Sequence, residues 1–276
     1  MKTLEQRLNE IGKALGKDID ALNANAEEFD YQKQRKQYDV LANADVSQLQ
    51  RQTRQKRIET LHGQSELNPH WTFNSLVEDA PDVSEAISIA RSFIGAHQDP
   101  NWRNSSAHMM LFYGDYGRGK SHIAGAIAHQ LINQFETTVL YRQLQTLLEM
   151  RFFSYDYQAD DKAAQQFREI NKQLHHVDLL ILDEVCVNET VLKKSAQSWL
   201  GNLLRQRAAN NKNCILISNH NLAELEKALG RYCFESIKEY ETYRVRFQGP
   251  SRRKSVSNGQ AESSNQQKNQ YRPNEI

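Results

Sequence analysis

The run Gly114-Asp115-Tyr116-Gly117-Arg118-Gly119-Lys120-Ser121 fits the pattern G-x-x-x-x-G-K-[ST]. The chemistry of such a run is phosphate binding. Its glycines let the backbone wrap an anion, so that several N–H groups converge on it. A helix that starts there adds its positive end. Lys120 supplies a mobile positive charge for the β- and γ-phosphates, and the Ser121 hydroxyl is a ligand for Mg2+. His122 follows directly and is counted with the nucleotide contacts. Further along, Leu179-Leu180-Ile181-Leu182 ends in Asp183-Glu184. Asp183 is the candidate for the Mg2+ shell, and Glu184 for polarising an attacking water. Asn219, in Ser218-Asn219, is a candidate for sensing the γ-phosphate or orienting that water. Each piece alone has a plainer reading: a turn with an incidental lysine, a solvated acidic strand end, a capping Asn. Their order along one chain favours nucleotide chemistry.

These groups need a scaffold that delivers them to one edge. Met109–Tyr113, Val139–Tyr141, Val177–Leu182 and Cys214–Ile217 are short apolar runs separated by helical patterns. Runs apolar on both faces indicate a parallel sheet covered on both sides. In such a sheet ligands sit at the carboxyl ends of the strands, where Asp183 and Glu184 would emerge. An extra strand lies between the glycine run and Asp183, and a Glu follows the Asp. That is the pattern of ATPases with a catalytic glutamate. No guanine-reading N-K-x-D element is present, so ATP is favoured over GTP.

Upstream, Val83, Ala86, Ile87, Ala90, Phe93 and Ile94 describe one face of a helix, and Trp71 and Phe73 are expected to anchor the chain to the core. Residues 3–62 read as helices. Thr3 and Gln6 fit a capping box, and Leu4, Leu8, Ile11, Leu15, Ile19 and Leu22 share a face. The expected division is a helical partner-binding region over 1–62, a hinge over 63–70, an ATPase domain over 71–250 and a disordered polar tail over 251–276.

The composition sets bounds. The chain has 276 residues, with 12 Gly and 5 Pro, a sparse share that argues against collagen-like or turn-dense all-β chains. With 35 Lys+Arg against 34 Asp+Glu, any nucleic-acid contact must come from a local patch. Three separated cysteines support neither a disulfide framework nor a cysteine zinc site. There is no signal-peptide core and no apolar run long enough to span a bilayer, so the expectation is a reduced, cytoplasmic protein. His175 and His176 read as a helix end. Arg151, Phe152, Phe153, Tyr155 and Tyr157 read as helix-end aromatics first and as a single-strand-binding stretch second. Arg51–Arg57 reads as a solvated face.

Taken together, the chain resembles the DnaC-type replicative helicase loaders, with IstB-like transposition ATPases as relatives. The resemblance is carried by Trp71-Thr72-Phe73-Asn74, Gly114–Ser121, Val177–Glu184, Ser218-Asn219-His220-Asn221-Leu222, Leu229-Gly230 and Phe247–Arg253. It implies an AAA+ P-loop core and ATP with Mg2+ as cofactors. It also implies a hexameric DnaB-type helicase partner, single-stranded DNA and ATP-dependent self-association. It matches Asn219 to the first sensor and Arg253 to the second-sensor arginine. One departure concerns the trans-acting arginine. The family's run after Leu-Gly ends in Asp-Arg, whereas here Arg231-Tyr232-Cys233-Phe234-Glu235-Ser236 places Ser236 at that position. Either Arg231 substitutes by a local shift or the finger is lost, which would leave slow hydrolysis and ATP acting as a switch. Residues 1–62 lack the cysteines of zinc-bearing loaders. The alternatives are an IstB-like transposition helper and an ATP-gated adaptor with negligible hydrolysis.

Overall fold

The computed structural model describes residues 3–14, 16, 31–155, 161–186 and 191–252. They fall into two units, Met1–Lys56 and Arg57–Ile276.

In the first unit, helix α1 (Leu4–Ala14) begins with the expected reciprocal cap: the Gln6 amide donates to Thr3 Oγ1, and the Thr3 amide donates to Gln6 Oε1. Ile11 on this helix is exposed. Leu15, Ile19, Leu22 and Phe29 lie outside the described residues. Helix α2 runs over Tyr31–Gln64 and begins in this unit, with Tyr31, Tyr38, Val40 and Leu41 exposed.

The second unit carries the last turns of α2, and there Leu61 is buried in the core. The expected hinge is also bound down. Ser65 Oγ accepts from the Tyr141 amide at 2.9 Å, the Glu66 amide donates to the Tyr141 carbonyl at 2.9 Å, and the Glu66 carboxylate pairs with Arg142 at 3.2 Å.

Five strands form one parallel sheet in the order β2-β3-β4-β1-β5. They are β1 (His108–Gly114), β2 (Val139–Gln143), β3 (Leu179–Asp183), β4 (Asn213–Ile217) and β5 (Glu241–Phe247). β3 and β4 are buried at every position, as their nearly unbroken apolar runs require. β5 buries only Val245 and Phe247 of its length, so it carries little apolar signal.

Helices cover both faces. On one side lie α3 (Pro81–Ala96) and α5 (Lys120–Phe135); on the other lie α6 (Leu144–Phe153), α7 (Asp161–His176), α8 (Lys194–Ala209) and α9 (Leu222–Ile237). A one-turn helix, Phe73–Ser75, and the short α4 (Pro100–Ser105) complete the elements of the described residues. α3 starts with Pro at its first helical position, where the missing N–H has no partner to lose. Its six expected inward residues are all buried, each large aliphatic contributing about 1.5–3 kcal/mol. His175 and His176 close α7, as expected of a helix end. Arg207 of α8 is fully buried. Its guanidinium donates to the carbonyls of Leu174, Val177 and Asn213 at 2.6, 3.1 and 2.7 Å, tying α7 and the edge of β4 together.

Candidate nucleotide site

The glycine run joins β1 to α5 at the carboxyl edge of the sheet. Gly114, Gly117 and Gly119 all take positive φ, at 113°, 70° and 92°. Two of these positions admit nothing larger. A Cβ on Gly114 would lie 2.1 Å from the Phe247 carbonyl oxygen, and one on Gly117 would lie 2.1 Å from Ser251 Oγ. The segment after β5 is laid against this loop. The Asp115 amide donates to the Phe247 carbonyl (2.9 Å), the Gly249 amide to Asp115 Oδ2 (2.8 Å), and the Arg252 amide to the Gly117 carbonyl (3.0 Å). Arg118 is pinned as well. Its guanidinium meets Asp82 of α3 at 2.7 Å and donates to the Pro250 carbonyl at 3.1 Å. Burial works against ionisation of Asp82, yet Arg118 and the Gln248 amide hold its carboxyl below the usual range.

The loop opens on a cavity of about 510 Å3, lined by Tyr116 through His122, Asp183, Glu184 and Asn219, and by Trp71, Ser75–Val77, Asp79 and Arg252. Lys120 is buried, and its ammonium donates to the Gly114 and Asp115 carbonyls at 2.8 and 2.6 Å. Ser121 and Asp183 face the same space, one from the first turn of α5 and one from the end of β3. Glu184 follows with φ of 54°, and its amide donates to Asp183 Oδ1 at 2.7 Å. That turn is latched to the next strand end. The Val185 amide donates to the Ile217 carbonyl (2.9 Å), and Ser218 Oγ donates to the Val185 carbonyl (2.8 Å). The Ser218 amide in turn donates to the Phe112 carbonyl at 2.9 Å. Glu184 and Asn219 are thereby held side by side at neighbouring strand ends.

His122 hydrogen-bonds Ser75 Oγ at 2.8 Å and the Thr72 carbonyl at 3.1 Å, and its ring stacks near Trp71. Burial pushes its imidazole below its ordinary value. Trp71, expected only as an anchor, is also a wall of the cavity. It packs on α5 so closely that a Cβ on Gly125 would lie 2.7 Å from it.

Not every expected site residue faces the cavity. Gly114 and Asp115 sit behind it, committed to the contacts with Phe247 and Gly249. Arg231 is exposed on α9, just past a break at Gly230 (φ 74°, ψ 153°), and does not line the cavity. Ser236 is fully buried, with its hydroxyl bonded to the Tyr232 carbonyl. An arginine in that orientation would point into the core. Arg253 lies outside the described residues. Its neighbour Arg252 lines the cavity, pairing with Asp79 and donating to the Val77 carbonyl.

Sequence reasoning overlooked Tyr141, Ser75–Asp79 and Arg252. Ser75–Asp79 follow a recognised motif by a few positions, and Arg252 lies inside Phe247–Arg253, where Arg253 was matched instead. Tyr141 sits in an apolar strand and looks like core. It is buried, and its hydroxyl donates to Asp183 Oδ2.

A family model described as the bacterial DnaA ATPase domain matches residues 67–233. The chromosomal replication initiator DnaA of Enterococcus faecalis is 32% identical over 120 residues, which are 43% of this chain and 24% of that protein. The replicative helicase loader DnaC of Escherichia coli K12 is 20% identical over 213 residues, 73% of this chain and 81% of that one. A structure of AMPPCP-bound DnaA from Aquifex aeolicus superposes with a TM-score of 0.51 at 17% identity, covering 66% of this chain and 51% of that one. The chain thus spans about a quarter of the length of the Enterococcus initiator it matches.

Proposed function

The chain belongs to the family of the bacterial DnaA ATPase domain and shares the AAA+ fold of DnaC-type loaders, and from that premise we propose that it is an ATP-dependent helicase loader of the cytoplasm. In this reading it binds a hexameric DnaB-type replicative helicase through its helical N-terminal region, self-associates with ATP, and delivers the helicase to single-stranded DNA. The observation that carries the nucleotide part is the meeting of Lys120, Ser121, Asp183, Glu184 and Asn219 in one cavity. The loader part is supported by the likeness to DnaC over most of both chains.

The donor set fits Mg2+. Ser121 and Asp183 offer hard oxygens on one side of the cavity, and no cluster of three or more metal-ligating side chains exists among the described residues. Two protein oxygens completed by phosphates and waters suit Mg2+ better than an all-protein cage would. Bound there, the ion supplies charge neutralisation at the β- and γ-phosphates. The protein does the rest. The amides of residues 117–121 and the start of α5 bind the phosphates. Lys120 turns its ammonium from the loop carbonyls toward them. Glu184 takes up the proton of the attacking water, Asn219 orients that water, and Trp71 and His122 shield one wall from solvent.

A second reading, an ATP-gated adaptor with negligible hydrolysis, is favoured by one observation. The position expected to hold the trans-acting arginine holds Ser236, and it is buried. Exposed Arg231 is the remaining candidate to serve a neighbouring subunit's site. The test is retention of the cognate replicative helicase by the full-length chain with ATP, with ADP and without nucleotide. ATP-dependent retention supports the loader. Retention of a transposase and duplex DNA instead of the helicase points to an IstB-like helper. Turnover with and without single-stranded DNA separates the active ATPase from the adaptor.

A further inference from the structure

A buried hydroxyl is costly unless it is bonded. The ring of Tyr141 is explained by packing: it tilts against Trp71 at 5.7 Å between centroids, inside the core under α5. Phenylalanine would pack the same way. The hydroxyl is what needs an account, and its partner is Asp183, one of the residues assigned to the metal. It donates to Asp183 Oδ2. Asp183 Oδ1 takes the Glu184 amide at 2.7 Å. Both carboxylate oxygens are therefore gripped, one from β2 and one from the turn after β3. Each keeps a further lone pair for a cation or its water.

Tyr141 is itself braced. Its amide donates to Ser65 Oγ at 2.9 Å, and its carbonyl accepts from the Glu66 amide at 2.9 Å. In the strand register Tyr141 stands opposite Ile181, two residues before Asp183. The phenol therefore reaches along the sheet edge to the carboxylate instead of meeting it directly across the ladder.

The geometry points to Tyr141 as the positioning residue of the metal site, a phenol that sets the Asp183 carboxylate for Mg2+. This rests on the nucleotide reading of the cavity. Outer-shell partners of metal ligands commonly change metal affinity by about 10–100-fold when removed. The role is therefore visible in the metal dependence of binding, separately from turnover.

The test measures AMPPCP binding to the full-length chain as Mg2+ is raised from zero, for the wild type, Tyr141→Phe and Asp183→Asn. Tyr141→Phe should keep its metal-free affinity within about twofold, while the Mg2+ concentration for half-maximal enhancement rises about tenfold. Mn2+ binding read by electron paramagnetic resonance should weaken in parallel. p-Aminophenylalanine at position 141 keeps the ring and a donor, and should restore most of the Mg2+ response; it also serves if the Phe variant folds poorly. If Asp183→Asn shifts the Mg2+ response and Tyr141→Phe does not, the tyrosine assignment is overturned while the nucleotide site stands. If neither shifts it, both readings fall.

Discussion

The guanidinium of Arg118 meets the carboxylate of Asp82 at 2.7 Å, joining the phosphate loop to the first turn of α3. Both side chains are largely buried, and Asp82 also accepts from the Gln248 amide. Three stretches distant in sequence thus share one ion pair. Arg118→Ala should destabilise the fold by about 1–3 kcal/mol, because it leaves a carboxylate and a carbonyl without their donor. Asp82→Ala should cost a similar amount, and the double variant less than their sum. Thermal unfolding of the three chains checks this; strictly additive losses would mean the pair does not couple the elements.

Lys120→Ala should weaken ATP binding by at least tenfold, since charge-assisted bonds to phosphate are worth about 1.5–3 kcal/mol. Its ammonium bonds the carbonyls of its own loop, so thermal stability should change less than the affinity for ATP. Equilibrium binding of a fluorescent ATP analogue decides it, and an unchanged affinity would remove Lys120 from the site.

Glu184→Gln should retain ATP and slow its cleavage by about 100-fold or more, the usual loss for a general base. The variant keeps the amide that bonds Asp183, so metal binding should survive. Single-turnover hydrolysis is the measurement. A variant that cleaves ATP at the wild-type rate assigns the water to another group.

Stability should fall with acidity below about neutral pH. His97, His108, His122 and His175 all have imidazoles pushed below the ordinary value of 6.5, each chiefly by burial. An unfolded chain takes up protons near 6.5 that the folded chain refuses. These histidines therefore leave stability intact above 6.5 and subtract from it as pH falls toward their folded values. Melting temperature should stay level between about pH 7.5 and 6.5 and drop from there to about 5.5; a flat profile throughout would show that the folded chain takes up these protons as readily as the unfolded one.

Much of this architecture is readable from residues alone, for identifiable reasons. Gly114–Ser121 announces itself because a phosphate loop needs glycine where φ is positive and lysine at a fixed offset. The runs at Leu179–Leu182 and Cys214–Ile217 are strands buried on both faces, so nothing polar interrupts them. Val83 to Ile94 keeps strict helical spacing because one face alone is buried. β5 escapes for the opposite reason: at the sheet margin it alternates Glu, Arg and Tyr with few buried positions, and its pairing to β1 is long-range. Ser65-Glu66 reads as a hinge from its polar composition, yet those polar groups are there to bond β2. Tyr141 hides because a tyrosine in an apolar strand signals packing, and only the third dimension shows its hydroxyl at Asp183.

The stitching of Gln248–Arg252 onto the loop has a last implication. An anion cradle is ordinarily shaped by its own glycines. Here part of the mould is supplied by backbone more than a hundred positions downstream, through Phe247, Gly249 and Arg252. Cutting the chain short after Phe247 would spare every residue of the G-x-x-x-x-G-K-S signature while taking the Gly249 amide from Asp115, the Pro250 carbonyl from Arg118 and the Arg252 amide from Gly117. The signature would survive on paper, and the shape it encodes would not.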